Sequence, residues 1–171
     1  VWHIVATPWT LMGEEGNQRL PCEQALAFGP VPSRRLGISV GVNVVPRKVC
    51  SYSCVYCQLG RTTKLTLDRA VYTPSGEIVS AVLEKLGLAP HTDYVTVIGD
   101  GEPTLAANLD EVRARVSEAW PGKTALLTNG SLFWMDDVRS AAAGFDAVLP
   151  TVSAGDEKTF RRLHRPHGSL S

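Results

Sequence analysis

From Phe28 onward the chain alternates two hydrophobic periods, one of about two residues and one of about 3.6, which is the signature of strands followed by helices. The run ISVGVNVV (38–45) is β-branched at alternate positions and predicts a first strand. In SGEIVSAVLEKLG, Ile78, Val79, Val82, Leu83 and Leu86 fall at helical spacing, with Ser75 as the expected N-cap and Gly87 as the stop. YVTVI (94–98) predicts a second strand. Leu105, Leu109, Val112 and Val116 then mark one helix face, ended by Pro121-Gly122. TALLT (124–128) reads as a third strand, breaking at Asn129-Gly130, after which Ser131 is expected to cap a helix through about Ala143. AVLPTV (147–152) reads as a fourth strand whose Pro150 disfavours a central place. A last helix is expected from near Asp156 to before Pro166.

Strand and helix repeated with short connections imply a parallel sheet, because parallel strands need crossovers. The polar, glycine-rich pieces follow the strands: Cys50 to Arg61, Gly99 to Pro103, Asn129-Gly130, and Ser153 to Asp156. In such folds the carboxyl ends of the strands line one mouth, where ligands bind. Residues 1–27 show no sustained period and are read as an N-terminal extension, leaving 28–171 as the core domain.

Composition adds limits. The 171 residues are 44% hydrophobic and 20% charged, enough for one globular domain. No apolar run approaches the roughly 18 residues of a membrane span, and the N-terminus lacks signal-peptide order, so a cytoplasmic protein without a membrane partner is expected. Net charge is zero, against a protein that coats nucleic acid by bulk charge. Basic residues do cluster locally: Arg34, Arg35, Arg47, Lys48, Arg61, Lys64 and Arg69 oppose only Asp68 between 28 and 69, and Lys158, Arg161, Arg162 and Arg165 gather near the C-terminus. Solvated surface is the ordinary explanation; were both groups to flank one pocket, an anionic substrate would follow. Arg61 and Lys64, leaving the cysteine loop, are the reasonable candidates, whereas Arg34 and Arg35 precede the first strand and approach from below or beside. His164 and His167 read as a solvated helix end.

Three of the four cysteines stand in CSYSCVYC as Cys50, Cys54 and Cys57. Three thiolates on one tight loop suit a cubane [4Fe–4S] cluster, whose irons normally take one cysteine apiece, leaving the fourth iron open for chemistry. A structural zinc site, serving as a structural or nucleic-acid module, would need a fourth ligand from Cys22 or a histidine. A single catalytic thiolate is the weakest reading, because nucleophilic catalysis needs one activated cysteine rather than three.

C-x-x-x-C-x-aromatic-C, as Cys50, Cys54, Tyr56 and Cys57, resembles the cluster loop of the radical S-adenosylmethionine (SAM) superfamily. FGPVPSRRLG, CVYCQLGRTT, GDGEPTL and SAGDEKTFRRLHRPHG are similar to an iron–sulfur oxidoreductase subgroup related to the tRNA wyosine-base synthases. The resemblance implies a partial (β/α) barrel, a [4Fe–4S] cluster on the three cysteines, and SAM bound through its amino and carboxylate groups. It implies that Tyr56 flanks the adenine, and that Gly99, Gly101 and Glu102 of GDGEP hold the methionine amino group, with Asp100 where the family has a first glycine. Thr128, Asn129 and Ser153 are implied as polar contacts to ribose or carboxylate. An electron donor and an unknown substrate, tRNA or another anionic molecule, complete the implied partners. The family barrel has about six β/α units and four are counted here. A truncated chain, a missing C-terminal segment or a completing partner is therefore expected, as is the alternative of an inactive remnant.

Overall fold

The computed structural model describes residues 25–170, so the extension and Cys22 lie almost wholly outside the described residues. Five strands form one sheet in the order β1 (Ala27–Ser33), β2 (Gly37–Val42), β5 (Tyr94–Val97), β6 (Lys123–Thr128), β7 (Ala147–Pro150). A separate two-stranded ribbon, β3 (Val49–Cys50) with β4 (Lys64–Leu65), brackets the cysteine loop. β2, β5, β6 and β7 run parallel, as the alternating pattern requires, and β1 is antiparallel to β2. The result is an open α/β sheet compatible with part of a radical SAM-type β/α fold.

Helices α1 (Ser75–Leu88), α2 (Leu109–Ala119) and α3 (Asp136–Ala143) make the crossovers, and α4 (Glu157–His164) follows β7. Val40, Val42, Val95, Val97 and Leu126 join Ile78, Val82, Leu109, Val112, Val116 and Val138 in one buried core. Each such side chain contributes about 1.5–3 kcal/mol by leaving water, which fixes strand register, since a one-residue slip would turn the valines outward.

Several local expectations are corrected. Ser75 is not the cap of α1: Pro74 takes that place, and the Ser75 hydroxyl instead accepts a hydrogen bond from Asn108 Nδ2 at 2.9 Å. Ser131 does not start a helix either. Residues 131–134 form turns, its hydroxyl lies 2.6 Å from that of Ser51, and α3 begins at Asp136 after Met135. Leu105 belongs to a short 3-10 turn (Pro103–Leu105) before α2, although it shares the buried face of Leu109 and Val112. β1 was not foreseen, because Pro30 and Pro32 argue against a strand. It lies at a sheet edge, where proline is tolerated. Pro150 likewise lies on an outer strand of the described sheet. Asp156 does cap α4, accepting from Thr159 N at 2.9 Å.

Candidate cluster and cofactor site

The carboxyl ends of β5, β6 and β7 converge on the cysteine loop. A cavity of about 380 Å³ there is lined by Lys48, Cys50, Cys54, Tyr56, Cys57, Gln58, Leu59, Ile98 to Pro103, Leu127 to Asn129 and Thr151. It brings together the three cysteines, Tyr56, Gly99, Gly101, Glu102, Thr128 and Asn129. Ser153 sits at its edge, its hydroxyl 3.1 Å from that of Tyr56.

The loop is shaped by its ends. Lys48, buried and at φ 64°, turns the chain into β3, and its N–H donates to the Asp100 carbonyl at 2.8 Å. Val49 O accepts from Glu102 N at 3.0 Å, locking the GDGEP turn onto the cysteine loop. Gly101 is required there, since a Cβ would lie 2.0 Å from Val49 O. Gly99 adopts φ 67°, whereas Asp100 is not among the residues with positive φ, so the aspartate in the first-glycine position meets no backbone strain.

Glu102 is 2% exposed, and its carboxylate is fully engaged. Oε1 accepts from Thr104 N (3.1 Å), Thr104 Oγ1 (2.6 Å) and Thr128 Oγ1 (2.5 Å), while Oε2 accepts from Asn129 N (2.8 Å). Burial pushes the carboxyl upward, and these four hydrogen bonds pull against it. Glu102 therefore joins the ends of β5 and β6 within the protein itself. Asn129 extends the connection, its Nδ2 donating to Ser51 Oγ at 2.8 Å and lying 3.7 Å from Cys50 Sγ.

On the far side the loop is stitched to α4. Ser53 N donates to His164 O and Val55 N to Leu163 O, each at 2.9 Å, and His167 N donates to Ser51 O at 2.9 Å. His164 corrects the expectation of a solvated helix end: it is 2% exposed, with Nδ1 3.4 Å from Cys54 Sγ. Its signal was the helical spacing of Phe160, Leu163 and His164, which share the inward side of α4 while Arg161 and Arg162 are exposed. Lys48, whose Nζ donates to Cys57 Sγ at 3.2 Å, was also missed as a site residue, having been grouped with surface charge.

Burial pushes the Cys50 thiol up to about 11 and raises that of Cys54, so a binding metal must displace their protons. Among the described residues no group of three or more His, Cys, Asp or Glu side chains closes on a single ion position. A cubane takes one thiolate per iron, which suits three thiols distributed around one cavity. The donor set thus fits the cluster.

A family model described as the radical SAM superfamily matches residues 44–171, taking in the loop, the GDGEP turn and α4. The chain belongs to the radical SAM superfamily. It is 44% identical over 147 residues to a UPF0026 protein of Methanocaldococcus jannaschii, covering 85% of this chain and 46% of that one. It is 37% identical over 145 residues to a UPF0026 protein of Helicobacter pylori, covering 83% and 47% respectively. A protein named GTPase Obg from Brachyspira hyodysenteriae is 38% identical over 143 residues, 84% of this chain and 21% of its own. This radical SAM chain spans about half the length of the UPF0026 relatives it matches. Its family cofactors are a [4Fe–4S] cluster and SAM. None of its described helices is long and apolar enough to cross a membrane.

Proposed function

We propose that this chain carries the cluster and SAM site of a radical enzyme that abstracts hydrogen from an anionic substrate, with RNA the specific case suggested by its resemblance to the wyosine-base synthases. The observation that carries the reading is the meeting of Cys50, Cys54 and Cys57 with the GDGEP turn and Asn129 in one cavity. A cluster held there would supply the one-electron chemistry that cleaves SAM reductively and so initiates hydrogen abstraction. Cys50, Cys54 and Cys57 would hold the cluster, and the cavity they line would take SAM. Tyr56, half-exposed over the mouth, offers its ring to the adenine. The carbonyls of Gly99 and Gly101 are suited to a methionine ammonium, since the Asp100 carbonyl accepts from Lys48 N and Glu102 is engaged by four protein donors. Thr151 and Asn129 supply polar atoms at the rim.

Arg61 and Lys64 support an anionic substrate: both are exposed and follow closely on Leu59, which lines the cavity. Arg34 and Arg35 lie in the turn entering β2, at the opposite end of the sheet, and Arg161 is paired with Glu157.

The test is anaerobic reconstitution with iron and sulfide, reduction, and electron paramagnetic resonance with and without SAM, with Cys54→Ala as control. A cubane signal that SAM perturbs and the variant lacks supports the reading. Zinc-loaded protein with no cluster signal would sink it. A cluster indifferent to SAM would mark an inactive remnant.

A further inference from the structure

His164 lies on α4, outside the cysteine loop and the GDGEP turn, yet its ring reaches the loop directly. Its ring packs against Tyr52, Tyr56 and Phe160 at centroid separations of 5.3, 5.6 and 4.9 Å. Nε2 is 2.8 Å from Ser153 Oγ, and Nδ1 is 3.1 Å from Tyr56 Oη and 3.4 Å from Cys54 Sγ. The Tyr56 and Ser153 hydroxyls are themselves 3.1 Å apart.

One arrangement of protons gives each hydroxyl and each ring nitrogen a defined role. Tyr56 O–H donates to Ser153 Oγ, and Ser153 O–H donates to His164 Nε2. A neutral imidazole carries one donor and one acceptor nitrogen, so an acceptor at Nε2 leaves the hydrogen on Nδ1, shared between Tyr56 Oη at 3.1 Å and Cys54 Sγ at 3.4 Å. The ring is reached from Tyr56 on the cluster loop and from Ser153 after β7, so two separate segments orient it.

We propose that His164 is a positioning residue of the cluster site: held as the Nδ1–H tautomer by Ser153, it donates a hydrogen bond to the Cys54 sulfur and raises the reduction potential of a [4Fe–4S] cluster bound there. The inference rests on the cluster reading above. Its physical basis is that hydrogen bonds to ligating sulfur stabilise the more negative, reduced cluster and shift its potential upward. The same bond ties the electronic properties of the cluster to the placement of Tyr56, the proposed neighbour of the adenine.

The experiment is a one-electron redox titration of the reconstituted full chain, following cluster absorbance and the reduced paramagnetic signal, for wild type, His164→Phe, His164→Asn and Ser153→Ala. Phenylalanine keeps the aromatic packing and removes both nitrogens, so its midpoint should move to more negative potential at equal cluster content. Asparagine returns an N–H near the Nδ1 position and should recover most of the shift. Ser153→Ala releases the tautomer and should move the midpoint in the same direction by less. A wild-type midpoint in His164→Phe overturns the proposal, as does an asparagine variant displaced as far as phenylalanine. Should His164→Phe fail to fold, a wild-type midpoint in Ser153→Ala, altered only at an exposed hydroxyl, overturns it equally. Absence of any cluster in wild type is read before the variants are compared, and removes the function reading together with this inference.

Discussion

The ammonium of Lys48 donates to the sulfur of Cys57 at 3.2 Å, from a residue only 7% exposed. A buried cation beside a ligating thiolate offsets part of the negative charge a cluster brings into the loop. Lys48→Met keeps the length and apolar stem and removes the charge. Partners outside the ligand set typically hold about 10- to 100-fold in metal affinity, and about 10-fold faster cluster loss to a chelator is expected for the variant. Bleaching of the iron–sulfur absorbance under excess chelator measures it; an unchanged rate would mean that the ammonium is incidental.

Glu102→Gln is isosteric but cannot accept all four hydrogen bonds. Whichever way its amide turns, the NH2 group faces a backbone donor, of Thr104 or of Asn129. Leaving buried donors unpaired should cost about 2–3 kcal/mol, because burial denies them water. Urea unfolding of the cluster-free protein reads this separately from cofactor binding, and a midpoint equal to wild type would contradict it.

Gly99 and Gly101 predict unequal sensitivities to the same substitution. Gly99→Ala faces an unfavourable φ of 67° but ordinary space, with its nearest contact at 3.4 Å, and should cost about 1 kcal/mol. Gly101→Ala meets the Val49 carbonyl, which cannot yield without breaking its bond to Glu102 N. About 3 kcal/mol is expected for it, together with loss of cluster retention. Equal unfolding midpoints for the two variants would refute the packing argument.

Asp146 carries a pH dependence remote from the site. Its Oδ2 accepts from Thr124 N at 2.7 Å and from Thr124 Oγ1 at 3.0 Å, anchoring the start of β6, and the backbone bond holds its carboxyl below the ordinary carboxylate value. A folded pKa below the unfolded one gives stability that is complete above the unfolded value and lost as pH falls through the folded one. Asp146→Asn should therefore be less stable at neutral pH, by no more than a few tenths of a kcal/mol after solvent screening of so exposed a group, the gap closing as pH drops below about 4. Urea midpoints at pH 7 and in steps down to pH 3 test the trend; a constant gap would oppose it.

The parallel order of β2, β5, β6 and β7 was legible because valines recur at alternate positions and their connections carry helical spacing. The cysteine loop was legible from spacing alone, and the strand-end turns from their polar residues. Ser75 and Ser131 misled because a serine before an apolar run matches a cap equally well when its hydroxyl serves a distant partner. His164 misled for a related reason: its neighbours in sequence are arginines and a proline, and its neighbours in space come from residues 52–56 and 153. Lys48 belongs to the same class, since nothing local distinguishes a buried lysine at positive φ from a charged loop. Long-range partners, rather than local preference, account for each of these errors.

The backbone bonds from Ser51, Ser53 and Val55 to the stretch 163–167 bear on how the protein is made. These pairs are separated by more than 100 residues, so the contacts that seat the cysteine loop close late relative to local helices. On the ribosome the three thiols emerge long before α4, and for that interval they are reactive sulfur without a finished seat. Iron and sulfide delivered to the nascent chain would meet an unclasped loop, exposed to oxidants and to stray zinc. Productive cluster insertion is therefore expected to follow the synthesis and docking of α4.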